Sequence, residues 1–303
     1  MTTVAVSPAP PTEVDERRVL WMLARYESLR LLRHPMFVLA VLLFVAVAVT
    51  TPLSEYANAD YQTTADGPET NLDWPVLPAF ALGLGGLIAM NRITSSAGRA
   101  GDVLRSSPVA ESRQTLALCL ACLVPGAIAL AGATYVFLFW MFDPPVQSIS
   151  WGEFTDLELA AIMACGVLAA VGGPLLGVLT ARWWRWPTAA AVTAVLLILW
   201  SVSSLAPDTH GALTLNHAAS PFTLVASNSE DYSRHMGGSW LWRVPYLAGL
   251  CLLAAIGACA HGTEGVQRRR YARAATVVAV LTAGCLLLAA FTGTEGYYSW
   301  DNR

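Results

Sequence analysis

The chain has 303 residues, 55% hydrophobic and only 13% charged, against roughly 25% charged in soluble domains. That composition excludes an ordinary soluble domain and points to a polytopic membrane protein. The net charge is −3 and every one of the 18 basic residues is arginine, a genomic bias with no surplus that would suit nucleic acid.

In chain order, residues 1–12 (MTTVAVSPAPPT) form a Pro-rich tail expected to be disordered. Residues 13–35 read as a helix that must stop at Pro35. Leucine, tryptophan and methionine alternate there with Arg17, Arg18, Arg25, Arg30 and Arg33. That pattern suits an interfacial elbow with snorkelling arginines or a cytoplasmic extension of the first span.

Long apolar runs follow. A helix needs about 20 apolar residues to cross the hydrocarbon. Seven spans are expected within a transmembrane domain of 36–292: 36–52, 75–91, 115–141, 157–180, 187–206, 241–261 and 274–292. The third should kink at Pro125–Gly126 and the fourth at Gly172-Gly173-Pro174. The first run begins only at Met36, with no small-residue cleavage site closing it, so no signal peptide is expected.

Arginine placement sets the expected orientation. If all seven runs cross and the N-terminus is cytoplasmic, fifteen arginines and seven acidic residues lie inside. Outside are Arg234, Arg243 and Arg303 and fourteen acidic residues. The expected topology is therefore N-in and C-out in the plasma membrane. The run Gln267–Arg273 (QRRRYAR) anchors the seventh span, and an aromatic tail within 293–303 lies outside. The longest outer loop, 207–240, has a semi-apolar middle that suits a short helix at the outer leaflet or a solvated loop.

Chemistry is sparse. Glu158 and His261 sit at span edges and no ionisable residue falls at mid-depth, whereas ion-coupled carriers keep such groups in the bundle. A P-loop needs a lysine, and the chain has none. Cys119 and Cys122 have ligand spacing but no second pair, so the six cysteines read as packing residues with no metal. Ser201, Ser203 and Ser204 lack a paired base and read as helix–helix hydrogen bonders. Tyr135, Phe137, Phe139, Trp140 and Trp200 form an outer aromatic belt or line an exit for an apolar substrate. No enzyme activity and no cofactor are expected in this chain.

Residues 96–113, SAGRAGDVLRSSPVAESR, interrupt two apolar runs. Ala97–Ser106 can form a short helix, with Ser107 capping a second helix that starts at Pro108. This turn would present Arg99, Asp102, Val103, Leu104, Arg105 and Pro108. A small surface carrying both charge signs and two apolar side chains suits a protein partner.

The stretch AGDVLRSSPVAESRQTLALCLA (100–121) resembles the cytoplasmic segment after the second span of type-2 ABC exporter permeases. The arginine-rich helix before the first span, the inner turn ARWWRWP (181–187) and SPF (Ser220–Phe222) are also similar, so the likeness covers roughly 15–262. It implies a permease half that pairs with a second half, identical or different. It also implies a separate cytoplasmic ATP-binding subunit and export of a lipid-like or drug-like substrate. Arg99, Asp102, Val103, Leu104, Arg105 and Pro108 would then help to dock the ATPase, flanked by Arg18, Arg25 and Arg30 of the elbow. The family pattern has six spans; this chain adds residues 274–303. The alternative is a membrane scaffold or sensor-associated protein that does not transport.

Overall fold

The computed structural model describes residues 13–57, 76–99, 110–142, 156–184, 186, 188–203, 212–221, 227–228, 232–233 and 239–292. The fold is a helical bundle. Its one sheet among these residues is a two-residue antiparallel ladder pairing Ser227 with Ser233 and Asn228 with Tyr232. The expected tails, 1–12 and 293–303, lie outside the described residues.

Helix α1 (Glu13–Leu32) ends just before Pro35, which opens α2 (Pro35–Ala57). Proline suits a first helical position because its missing N–H would be unsatisfied there anyway. The His34 carbonyl accepts from the Phe37 and Val38 amides, both at 2.9 Å. The two helices meet at 70°. Phe37, Ala40, Phe44 and Ala48 bury one stripe of α2, while Leu39, Leu42 and Leu43 are exposed on the other. An apolar outer face of this kind is stable in lipid, not in water.

The next helix runs from Val76 to Arg99 as α3 (Val76–Pro78), a π-helical stretch (Ala79–Leu84) and α4 (Gly85–Arg99). Helix α5 (Glu111–Ala121) and α6 (Leu123–Phe142) form the third run, interrupted at Cys122. The interruption falls just before Pro125, which has no N–H to give the carbonyl four residues earlier. Helix α5 starts at Glu111 with Ala110 extended, rather than at Pro108. Ser107 and Pro108 themselves lie outside the described residues.

Helix α7 (Asp156–Trp183) is central, touching α4, α5, α6, α10 and the π-helical stretch. It stays helical through Gly172-Gly173-Pro174, and that sequence also marks a close crossing. A Cβ on Gly173 would run into the backbone of Gly83, and one on Gly177 into the backbone of Leu87. Pro174 occupies the space beside Gly86. Buried Asn91 joins the same crossing, its Nδ2 donating to Thr180 Oγ1 at 3.0 Å and to the Gly177 carbonyl at 3.3 Å.

The remaining helices are α8 (Ala189–Ser203), α9 (Ala212–Ala219), α10 (Trp240–Ala260) and α11 (Gly265–Phe291). Helix α9 lies in the long loop where a short helix was one of two expectations. Helix α11 packs on α10, where Gly249 sits against Thr282. It starts at Gly265, about two and a half turns before the apolar run that opens at 274, so the arginine anchor is part of the helix.

Four helical stretches are long and apolar enough to cross a membrane: Glu111–Leu138, Ala160–Trp183, Trp240–Ala260 and Gly265–Phe291. These match the expected third, fourth, sixth and seventh spans. The bent pair Arg17–Leu32 and Pro35–Thr50 can add a fifth. The expected second span is helical but turns polar from Asn91 onward. The expected fifth, α8, has 15 residues, about 22 Å at ~1.5 Å per residue, short of the ~30 Å hydrocarbon.

The glycine crossing generates a test. Gly173→Val should cost about 3 kcal/mol or prevent folding, because the obstacle is backbone. Gly284→Val, where nothing lies within 4 Å, should be nearly silent. Thermal unfolding of the two variants in mild detergent checks the contrast.

Candidate functional site

One end of the bundle gathers arginine-bearing segments that are far apart in sequence. Helix α1 packs across α5 and touches the end of α4. Its inward residues, Ala24 and Leu31, are buried, with Glu27 and Ser28 partly so. Its outward face mixes Arg17, Arg18, Arg25 and Arg33 with Trp21, Met22, Tyr26, Leu29 and Leu32. Guanidinium groups and aromatic rings on one face fit the headgroup boundary of a bilayer, the elbow reading of 13–35.

The three elbow arginines have different environments. Arg18 and Arg25 are exposed. Arg30 turns inward, and its Nη2 donates to Ser96 Oγ at 2.8 Å. Ser96 in turn donates to the Ile93 carbonyl. Glu27 sits 3.6 Å from Arg30. Burial raises the Glu27 carboxyl above its ordinary value, opposed by the charge and hydrogen bond of Arg30.

Of the proposed docking residues, Arg99 ends α4. Asp102, Val103, Leu104, Arg105 and Pro108 lie outside the described residues. What is described are the two residues on either side of their segment. Arg99 closes α4 and Ala110 precedes α5, the two helices that α1 touches.

A second cluster at this end was not legible as a unit in the sequence. Glu111 at the start of α5 pairs with Arg182 at the end of α7, Oε1 to Nη1, at 2.7 Å. His261, just past α10, places Nδ1 3.8 Å from the same carboxylate. Trp183 donates from Nε1 to the Gly257 carbonyl at 3.0 Å, and its ring meets that of His261 edge-on at 5.6 Å. Gly262 takes φ +73 beneath Glu111, where a side chain would be both strained and obstructed. One carboxylate thus ties the start of α5 to the end of α7, with His261 beside it. Each residue stands at a helix boundary, the only signal the sequence offered for the pairing.

The opposite end carries a residue that the sequence reading assigned merely to the outer edge. Arg243 is 5% exposed, buried in α10. Its guanidinium donates to the Ser220 carbonyl and lies 5.4 Å from the Trp240 ring centroid. Tyr246 donates to the Ala219 carbonyl at 2.8 Å. Arg243 and Tyr246 thus satisfy carbonyls at the C-terminal end of α9, where a cation also opposes the helix dipole. Trp200 Nε1 donates to Asn216 Oδ1 at 2.9 Å, tying α8 to the same short helix. Tyr135 and Phe137 are exposed on α6, while the side chains of Phe139 and Trp140 lie outside the description.

Cys119 and Cys122 both lie buried at the α5–α6 junction. Cys119 neighbours Cys259 of α10, and Cys122 neighbours Cys251 of the same helix. All six are free thiols, and among the described residues no three His, Cys, Asp or Glu groups could hold a metal. Ser201 donates to the Leu197 carbonyl and Ser203 to the Trp200 carbonyl, both within α8.

No family model, no curated protein and no solved structure matches the chain.

Two tests follow from these contacts. The Glu111–Arg182 pair is half exposed on the carboxylate side, so a double-mutant cycle with Glu111→Gln and Arg182→Gln should give about 1 kcal/mol of coupling in detergent unfolding. Arg243→Gln should release α9 and cost about 2 kcal/mol. Limited proteolysis should then cut residues 204–239 faster than in the unaltered chain, with cleavage elsewhere unchanged.

Proposed function

We propose that this chain is the membrane-spanning permease half of an ATP-driven exporter. It sits in the plasma membrane with the arginine-rich end in the cytoplasm, and it pairs with a second permease half. A separate ATP-binding subunit supplies the energy, since the chain has no lysine for a P-loop. The substrate is lipid-like or drug-like and moves outward. The N-terminus is cytoplasmic, and all seven helical runs belong to the membrane domain, with α11 as an addition at its edge.

The observation that carries this reading is the position of the elbow. Helix α1 turns 70° into α2 and packs across the helices that flank residues 100–109. A partner bound at this end would touch the elbow and the 100–109 segment together. Force applied there acts on α4 and α5, and α7 joins both of them. The segment itself carries Asp102 and Arg105 on either side of Val103 and Leu104, a surface with charge for orientation and apolar area for affinity.

Purification in mild detergent from the native host, through a tag on this chain, should bring down an ATP-hydrolysing subunit. The double reversal Asp102→Arg with Arg105→Glu should reduce the co-purified subunit by at least about tenfold, or ~1.4 kcal/mol, without affecting insertion. Reproducible recovery of the chain with no ATPase would instead favour a scaffold.

A further inference from the structure

A cavity of about 530 Å³ opens where the elbow meets the bundle, between the end of α1, the bend at His34 and α4. Its wall includes Arg30, His34, Asn91, Arg92, Ser95 and Ser96. Among the described residues that line it, none is a carboxylate. Glu27, which offsets Arg30 in part, approaches that arginine at 3.6 Å without lining the space.

The donors are arranged by the fold. Asn91 is fixed to α7 by two hydrogen bonds, which sets the turn of α4 that carries Arg92, Ser95 and Ser96. Arg30 is held by Ser96 through Nη2 at 2.8 Å and approached by Glu27 through Nη1 at 3.6 Å, which leaves part of its five-donor fork for a ligand. Arg92 is exposed and makes no ion pair among the described residues. His34 Nδ1 is buried and has no hydrogen-bond partner there. Burial, with the charges of Arg92 and Arg30, lowers His34 from its ordinary value, and the two guanidinium groups supply the positive charge. The site also lies beside the N-terminus of α2, which contributes partial positive charge.

We infer that this cavity binds a phosphate group, held between Arg30 and Arg92, and that an anionic phospholipid headgroup presents it. The depth favours lipid as the source. The cavity lies at the junction of an interfacial helix and an apolar one, and the outer face of α1 exposes Trp21, Tyr26 and Leu29 beside its arginines. Headgroup phosphates lie at that level, and a guanidinium fork matches their oxygens. The site would fix the elbow to the leaflet from which it emerges. This inference does not depend on the exporter reading.

The test uses the full chain in mild detergent, with phosphatidylglycerol and phosphatidylcholine supplied in equal amounts and retained lipid counted by native mass spectrometry. The unaltered chain should retain phosphatidylglycerol in preference. Arg92→Gln should weaken that retention about tenfold. Arg268→Gln, which removes an exposed arginine of α11 at the same end, should leave it unchanged. Excess inorganic phosphate serves as the second arm. If it fails to displace the lipid, the lipid is the source; if it displaces the lipid in an Arg92-dependent way, the phosphate site stands and is filled from solution. Equal retention of the two lipids by the unaltered chain, or equal loss in both variants, would overturn the inference.

Discussion

The bundle depends on the crossing of the 76–99 helix with α7. Helices in a membrane gain nothing from hiding apolar area from each other, because lipid tails are as apolar as leucine. Association must come from close packing and from polar groups that find partners. Gly173 meets the backbone of Gly83 and Gly177 that of Leu87 with no room for a Cβ, and Gly86 takes the Pro174 ring. Asn91 then bonds Thr180 and the Gly177 carbonyl one turn further along. The π-helical stretch Ala79–Leu84 contains Gly83, so the local change in winding occurs where the two backbones are closest. With α7 fixed against this helix, α10 can pack on the other side of α7, and α11 on α10.

That crossing also determines what each end of the bundle can do. Because α4 is held in rotation by Asn91, its later residues Arg92, Ser95 and Ser96 face the elbow, and Arg30 can reach Ser96. Because α7 is held along its length, Arg182 arrives beside Glu111, with His261 of the α10 turn on the same carboxylate. At the other end, α10 delivers Arg243 and Tyr246 to the last carbonyls of α9. The two ends use the same device. A side chain at a helix boundary satisfies a group on a helix distant in sequence. Their character differs. One end is open and rich in exposed arginine, fit for headgroups or a protein partner, while the other hides its one described arginine to secure a loop helix.

Much of the helical plan was legible from residues alone, for reasons that can be named. Pro35 had to separate two helices, and Pro125 had to disturb the third run, because a missing amide hydrogen acts locally. The long apolar runs at 157–180 and 241–261 could only be helices, since backbone groups in lipid must bond within their own segment. Gly172-Gly173-Pro174 suggests a kink when only one helix is considered, and what that local reading missed is that these residues also serve a neighbour. The start of α5 was placed too early for a related reason, as Ser107-Pro108 is a good local start signal while Ala110 is extended in the fold.

The sequence by itself determined the membrane class, the helical nature of the apolar runs and the asymmetric placement of arginine. Each follows from composition or from short-range stereochemistry. Only the tertiary structure decided that Cys119 lies by Cys259, and that Glu111 meets Arg182 across 71 positions of chain. It also decided that Arg243 is buried and that Arg30 and Arg92 border one cavity. These depend on which face each helix turns inward, and that rotation is set by glycine contacts between helices far apart in sequence. A periodic apolar run leaves it open, because in lipid either face of such a helix can lie outward at little cost.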